Sequence, residues 1–188
     1  MRRNRFAIKA FLFLSLTACG DSREEFSGNY GFTGEFKVGH GANQETLRAQ
    51  GQLDVIADHF DDERLFLNWD CGMNGKMEDE TMTLVRKNCP PFRSADCVLT
   101  YKYDVGNANI DGKTLKFTTT GTVAVRCDDG AAGSAPFTLT LEGERGKMMP
   151  IPMPGQQDLG GEPGPAAFHD SGLRDALLRS IQPSPGGE

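Results

Sequence analysis

Apolar residues recur at every second position through most of the chain. Tyr30, Phe32, Phe36 and Val38 alternate with Gly31, Thr33, Glu35 and Lys37. Leu53, Val55 and Ala57 follow, and Leu65, Leu67 and Trp69 alternate with Phe66, Asn68 and Asp70. Leu99, Tyr101, Tyr103 and Val105 alternate with Thr100, Lys102 and Asp104. Leu115, Phe117, Val123 and Val125 are interleaved with threonines, and Phe137, Leu139 and Leu141 with Thr138, Thr140 and Glu142. Successive side chains of a strand point to opposite faces, so this alternation buries one face and wets the other. It predicts an all-β domain over residues 28–146, an antiparallel meander of about seven or eight strands. A small barrel and a two-sheet sandwich both fit. No stretch before Pro150 shows a helical period. The length suits one core and is too short for two domains.

Turn chemistry separates the runs. Asp111-Gly112 is a hairpin signal, because a type I′ turn needs positive φ at both central residues. Asp61-Asp62-Glu63 and Asp128-Asp129-Gly130 mark other connections, and Gly121 marks a bulge inside a long strand. The aromatics Tyr30, Phe32, Phe36, Phe66, Trp69, Tyr101, Tyr103, Phe117 and Phe137 read chiefly as core. The alternative is the lining of an apolar ligand cavity. Gly28-Asn29-Tyr30 resembles the start of a lipocalin, with tyrosine where that family usually has tryptophan. This resemblance implies a barrel that carries a small apolar ligand.

The N-terminus has a different character. Arg2, Arg3, Arg5 and Lys9 precede or flank a short apolar run, Ala10-Phe11-Leu12-Phe13-Leu14-Ser15-Leu16, and no acidic residue appears before Asp21. A basic head, a short apolar middle and small residues at the end make a secretory signal. The run is too short to span a bilayer, which takes about 20 apolar residues. It ends in Leu16-Thr17-Ala18-Cys19, which resembles the lipobox of bacterial lipoproteins. The resemblance implies that residues 1–18 are a signal peptide, cut off before Cys19. It implies that Cys19 carries a diacylglyceryl group and an acylated amine, palmitate among the chains, and anchors the protein to a membrane of the cell envelope. Gly20 follows the cysteine, and Asp21 stands one place beyond the position where Asp favours the inner membrane. The family rule therefore points to the outer membrane over the inner. Residues 19–27 then read as the lipidated cysteine and a short polar tether.

Charge and cysteine usage agree with export. Loss of residues 1–18 removes four basic residues, leaving sixteen Lys and Arg against 26 Asp and Glu, a net charge of −10. So acidic a surface argues against nucleic acid and against a polybasic grip on anionic lipid. Cys71, Cys89, Cys97 and Cys127 remain besides Cys19, an even number that reads as two disulfides in an exported protein. A turn centred on Glu80 sets Cys71 opposite Cys89. The turn at Asp111-Gly112, with one bulge residue within 106–109, sets Cys97 opposite Cys127. A competing turn at Asn74-Gly75 would instead favour Cys89–Cys97 with Cys71–Cys127.

Residues 147–188 form a Pro- and Gly-rich tail, expected to be disordered. Within it Leu173, Ala176, Leu177 and Ile181 share one face of a short amphipathic helix near 171–181, with Ser171 placed to cap it. Such a helix is too short to stand alone and reads as a frayed end, or as a segment that folds onto a partner or its own domain.

Little in the chain points to catalysis. Asp58-His59-Phe60-Asp61-Asp62-Glu63 is the densest set of possible metal ligands, yet lacks the spacing of a known calcium loop and reads as a solvated turn. Glu78-Asp79-Glu80 reads the same way. His59 beside acids is the one candidate base, and His40 sits in Gly39-His40-Gly41, which lacks the glycine and helix of a phosphate loop. The expectation is a non-enzymatic envelope lipoprotein without cofactor or metal, a binding or structural module. Its expected contacts are the membrane through Cys19 and an envelope protein partner or small apolar ligand.

Overall fold

The computed structural model describes residues 21–69, 71–148 and 172–181, the last with backbone alone over 172–174. The signal segment, Cys19, Ser171 and the linker over 149–171 lie outside the described residues. Ten strands run through the described residues: β1 (Gly28–Val38), β2 (Glu45–Ala57), β3 (Arg64–Leu67), β4 (Met73–Glu78), β5 (Thr81–Leu84), β6 (Lys87–Asn88), β7 (Phe92–Ser94), β8 (Cys97–Asp111), β9 (Thr114–Cys127) and β10 (Ala132–Arg145). Helix α1 (Ser22–Phe26) precedes them and helix α2 (Gly172–Ile181) follows.

Every pairing is antiparallel, and the pairings close on themselves. Each of β1 to β5 pairs with the next, β5 reaches β8 through Met82 opposite Ala108, and β8, β9 and β10 continue the meander back to β1. The result is an eight-stranded barrel, with β6 and β7 as a short excursion laid on β8. Closure leaves no sheet edge along the ring, and eight strands enclose an interior just wide enough for side chains to fill. It resolves the choice between barrel and sandwich.

The interior is aromatic. Phe36 stacks on Phe137 with ring centroids 5.0 Å apart, and Phe32 meets Trp69 edge-on at 4.9 Å. Tyr101 lies between Phe92 and Tyr103 at 5.7 and 6.2 Å, and Trp69 Nε1 donates to Tyr103 Oη at 3.3 Å. Tyr30, Phe32, Phe36, Trp69, Tyr101, Tyr103, Phe117 and Phe137 are all buried, as the alternation requires. Phe66 is the exception: it faces outward from β3 and is 41 % exposed. Its neighbours Leu65 and Leu67 hold the inward positions of that strand.

Helix α1 occupies residues read from the sequence as a polar tether. Its only apolar anchor is Phe26, which is buried, so no period betrays it. Asp21 caps it, accepting from the Arg23 amide at 2.9 Å.

Both expected bridges form, but register accounts only for Cys97–Cys127, and by a route that differs from the sequence reading. Sulfur joins Cys71 to Cys89 and Cys97 to Cys127. The central residues of the β8–β9 turn are Gly112 and Lys113, one place later than expected, with positive φ (60°) at Gly112 only. That suits a turn with glycine in its first central position. The bulge lies at Asp104–Val105 rather than within 106–109; its extra residue on β8 shifts the pairing by one between Gly106–Thr119 and Tyr103–Gly121, and only with the turn one place later does this set Cys97 opposite Cys127. Gly121 pairs with Tyr103 at the edge of this bulge; a Cβ there would come within 2.1 Å of the Lys102 carbonyl and 2.7 Å of the Phe137 ring. Cys71 and Cys89 lie beyond the β4–β5 hairpin, whose turn is Asp79-Glu80, so their bridge joins the loop before β4 to the excursion after β6. Asn74-Gly75 is strand, not turn, because Met82 packs into the space a Gly75 side chain would fill.

Candidate functional site

The barrel has two distinct ends. β1 starts at one, where Gly28 opposes Val55 and Tyr30 opposes Arg145. It finishes at the other, where Val38 opposes Glu45 and Phe137. The first end carries α1, the β2–β3 loop, the turns at Asp79-Glu80 and Gly112-Lys113, and the chain leaving β10. The second carries the Cys97–Cys127 bridge and α2.

At the α1 end the contacts are polar and specific. Arg23 Nη1 donates to the carbonyls of Asp58 at 2.8 Å and Asp61 at 2.6 Å, while its Nε and Nη2 hold the Asp21 carboxylate. This guanidinium is 8 % exposed at the residue level, yet satisfied on every side. Its hydrogen bonds hold the Asp21 carboxyl below the ordinary carboxylate range, and Asp21 in turn raises Arg23. Tyr30 Oη donates to the Phe26 carbonyl at 2.8 Å and accepts from Arg145 Nη2 at 2.9 Å. Burial raises the Tyr30 phenol, against the pull of Arg145. Arg145 also reaches the Glu25 carbonyl. Helix α1 is thereby fastened to β1, β10 and the β2–β3 loop together.

At the α2 end the contacts are apolar. Ala176 and Leu177 are fully buried, and Leu178 and Ile181 cover Val125, Cys97 and Cys127. Gly133 lets the helix approach: a Cβ there would lie 2.5 Å from Ile181 Cδ1. Arg179 pairs with Glu45 at 3.0 Å. The amphipathic tail segment read from the sequence therefore folds onto its own domain.

The sequence-derived candidates for chemistry stay apart. His59 is exposed on the β2–β3 loop, and His40 is exposed beyond β1 at the opposite end. The loop acids Asp58 and Asp61 are engaged by the amides of Phe60 and Glu63. Among the described residues no group of three His, Cys, Asp or Glu side chains converges as a metal site would. A groove of about 550 Å3 lies on the outer wall beside Val98, Thr100, Ala124, Arg126 and Ser134. It is an open surface on the outside of the barrel, separate from the aromatic interior.

Sequence reasoning missed two features of the α1 end. Arg23 was unremarkable, because its partners are backbone carbonyls 35 and 38 residues away. Phe60 sits inside an acidic turn, yet an aromatic amid five polar residues, with no alternation to place it inside, is a readable sign of exposure. The sequence matches no protein-family model, and neither a curated protein nor a solved structure matches it.

Proposed function

We propose that the chain is the precursor of a lipid-anchored cell-envelope protein, whose barrel works as a non-enzymatic binding or structural module. The observation that carries this reading is the start of the fold. Asp21, two residues after Cys19, already caps a helix fastened to the barrel rim. A lipobox cysteine at that place would tie the folded body directly to its acyl chains. Two disulfides add support, since such bridges persist in oxidising compartments outside the cytoplasm. Gly20 rather than Asp after the cysteine favours the outer membrane.

The packed aromatic interior argues against a carrier of small apolar ligands, which would need a cavity of about 300 Å3 or more inside the barrel. The exposure of His59 argues against an acid–base role for it. The test is metabolic labelling with palmitate in a Gram-negative host. The wild-type chain takes up label and Cys19→Ser takes up none. An unlabelled wild-type chain that is still exported would overturn the anchor.

A further inference from the structure

Of the six large apolar side chains exposed over the described surface, Val85 and Val105 lie on the barrel wall beside the β5–β8 pairing, and the other four gather toward the α1 end. Ile56 and Phe66 oppose one another on the outer face of the β2–β3 hairpin. Phe60, at the tip of that hairpin, is 100 % exposed, and Met148, just past β10 at the same end, is 89 % exposed. The Arg23 guanidinium grips the carbonyls of Asp58 and Asp61 and so fixes the loop from both sides of Phe60. Arg23 stands four residues after Cys19. Cys19 and Gly20 span at most about 7 Å before Asp21, the first described residue.

We infer that the α1 end of the barrel rests on the bilayer, with Phe60 as a second contact beside the acyl chains of Cys19. The inference depends on lipidation of Cys19. Phe60 is held by the same guanidinium that fastens the helix following the anchor, so the two membrane contacts lie on one rim. The acids around Phe60 are partly neutralised: Arg64 serves both Asp58 and Asp61, Arg23 serves Asp62 as well as Asp21, and Lys76 serves Glu63, so the rim stays mildly acidic and suits an uncharged lipid surface. Asp58 and Asp61 lie 3.8 and 3.2 Å from Arg64, Asp62 lies 3.6 Å from Arg23, and Glu63 lies 3.0 Å from Lys76. The tip between these pairs is an uncharged phenyl ring. The strongly acidic remainder of the protein selects a zwitterionic surface over an anionic one. The opposite end stands off: β1, eleven residues long, places His40 about 25–30 Å away along a tilted strand.

The test uses the full-length lipidated protein on phosphatidylcholine vesicles whose acyl chains carry bromine, a contact quencher of indole. Phe60→Trp reports the α1 rim and His40→Trp the opposite end. Both positions are exposed, and the buried Trp69 gives a background common to all variants. The Phe60→Trp emission shifts to the blue and loses most of its intensity on brominated vesicles. The His40→Trp emission does neither. Replacing part of the phosphatidylcholine with phosphatidylglycerol reduces the quenching. A protein that carries its acyl groups and floats with the vesicles, yet shows equal quenching at the two positions, would overturn the orientation and leave the anchor standing. A protein without acyl mass that fails to float would overturn both.

Discussion

Tyr30 and Arg23 show how much of the α1 end hangs on single side chains. Tyr30 is buried with its hydroxyl between the Phe26 carbonyl and the Arg145 guanidinium. Tyr30→Phe removes both bonds, leaving the Phe26 carbonyl without this donor while Arg145 keeps the Glu25 carbonyl, and should cost about 1–3 kcal/mol in urea unfolding, with the barrel intact. Arg23 makes a fork that reaches two carbonyls and a carboxylate at once, which an ammonium cannot copy. Arg23→Lys and Arg23→Ala should therefore both speed amide hydrogen exchange in α1 and the β2–β3 loop, leaving β8 to β10 unchanged. The same cluster gives a pH dependence. The Asp21 pKa is lowered on folding from an ordinary 3.8. Its contribution is complete above that value and is lost as the pH falls through the lower, folded value. Exchange of the Arg23 amide should accelerate in that acid window, and Asp21→Asn should remove the pH dependence. At this scale the sequence told us which residues are buried aromatics. It was silent on Arg23, whose partners are main-chain atoms brought in by the tertiary fold.

Elements were legible in proportion to the size of their inward side chains. β8, β9 and β10 carry aromatic, leucine and valine side chains toward the core and stand out in the alternation. The first half of β2 does not, because its inward residues include Ala49 and Gly51, small so that the Phe32 ring can fill the space. β6 and β7 flank Cys89-Pro90-Pro91 and are too short for any period to appear. Helix α1 has one apolar anchor and exists only because the rim holds it. Helix α2 was visible through its 3.6-residue stripe and needs the barrel equally. Leu177→Ala should cost about 2–5 kcal/mol of its docking. The expected signs are rapid exchange over 175–181 and dye binding to the uncovered barrel end. Unchanged exchange there would mean that α2 does not depend on its buried face.

The whole molecule is a closed barrel finished differently at its two ends. One end is fixed by arginine forks beside helix α1, the other by a leucine-bearing helix over a disulfide. Closure was not readable from periodicity, since the β5–β8 pairing that completes the ring uses Gly106 and Ala108, whose small size let the strands meet. Cys71–Cys89 joins segments outside the paired strands, whereas Cys97–Cys127 follows from strand pairing. Each closes a loop, of 18 and 30 residues, and should add about 3–4 kcal/mol, seen as a loss of urea stability in Cys71→Ser/Cys89→Ser and Cys97→Ser/Cys127→Ser. We propose that Cys19 holds this barrel to the envelope and that its own aromatic side chains occupy the interior. Native mass spectrometry of the full-length protein, purified from the envelope in detergent, tests it most directly. The expected result is a chain beginning at Cys19, with acyl groups, two disulfides and no further mass. A chain beginning elsewhere, or one with an added small molecule that leaves on denaturation, would contradict it.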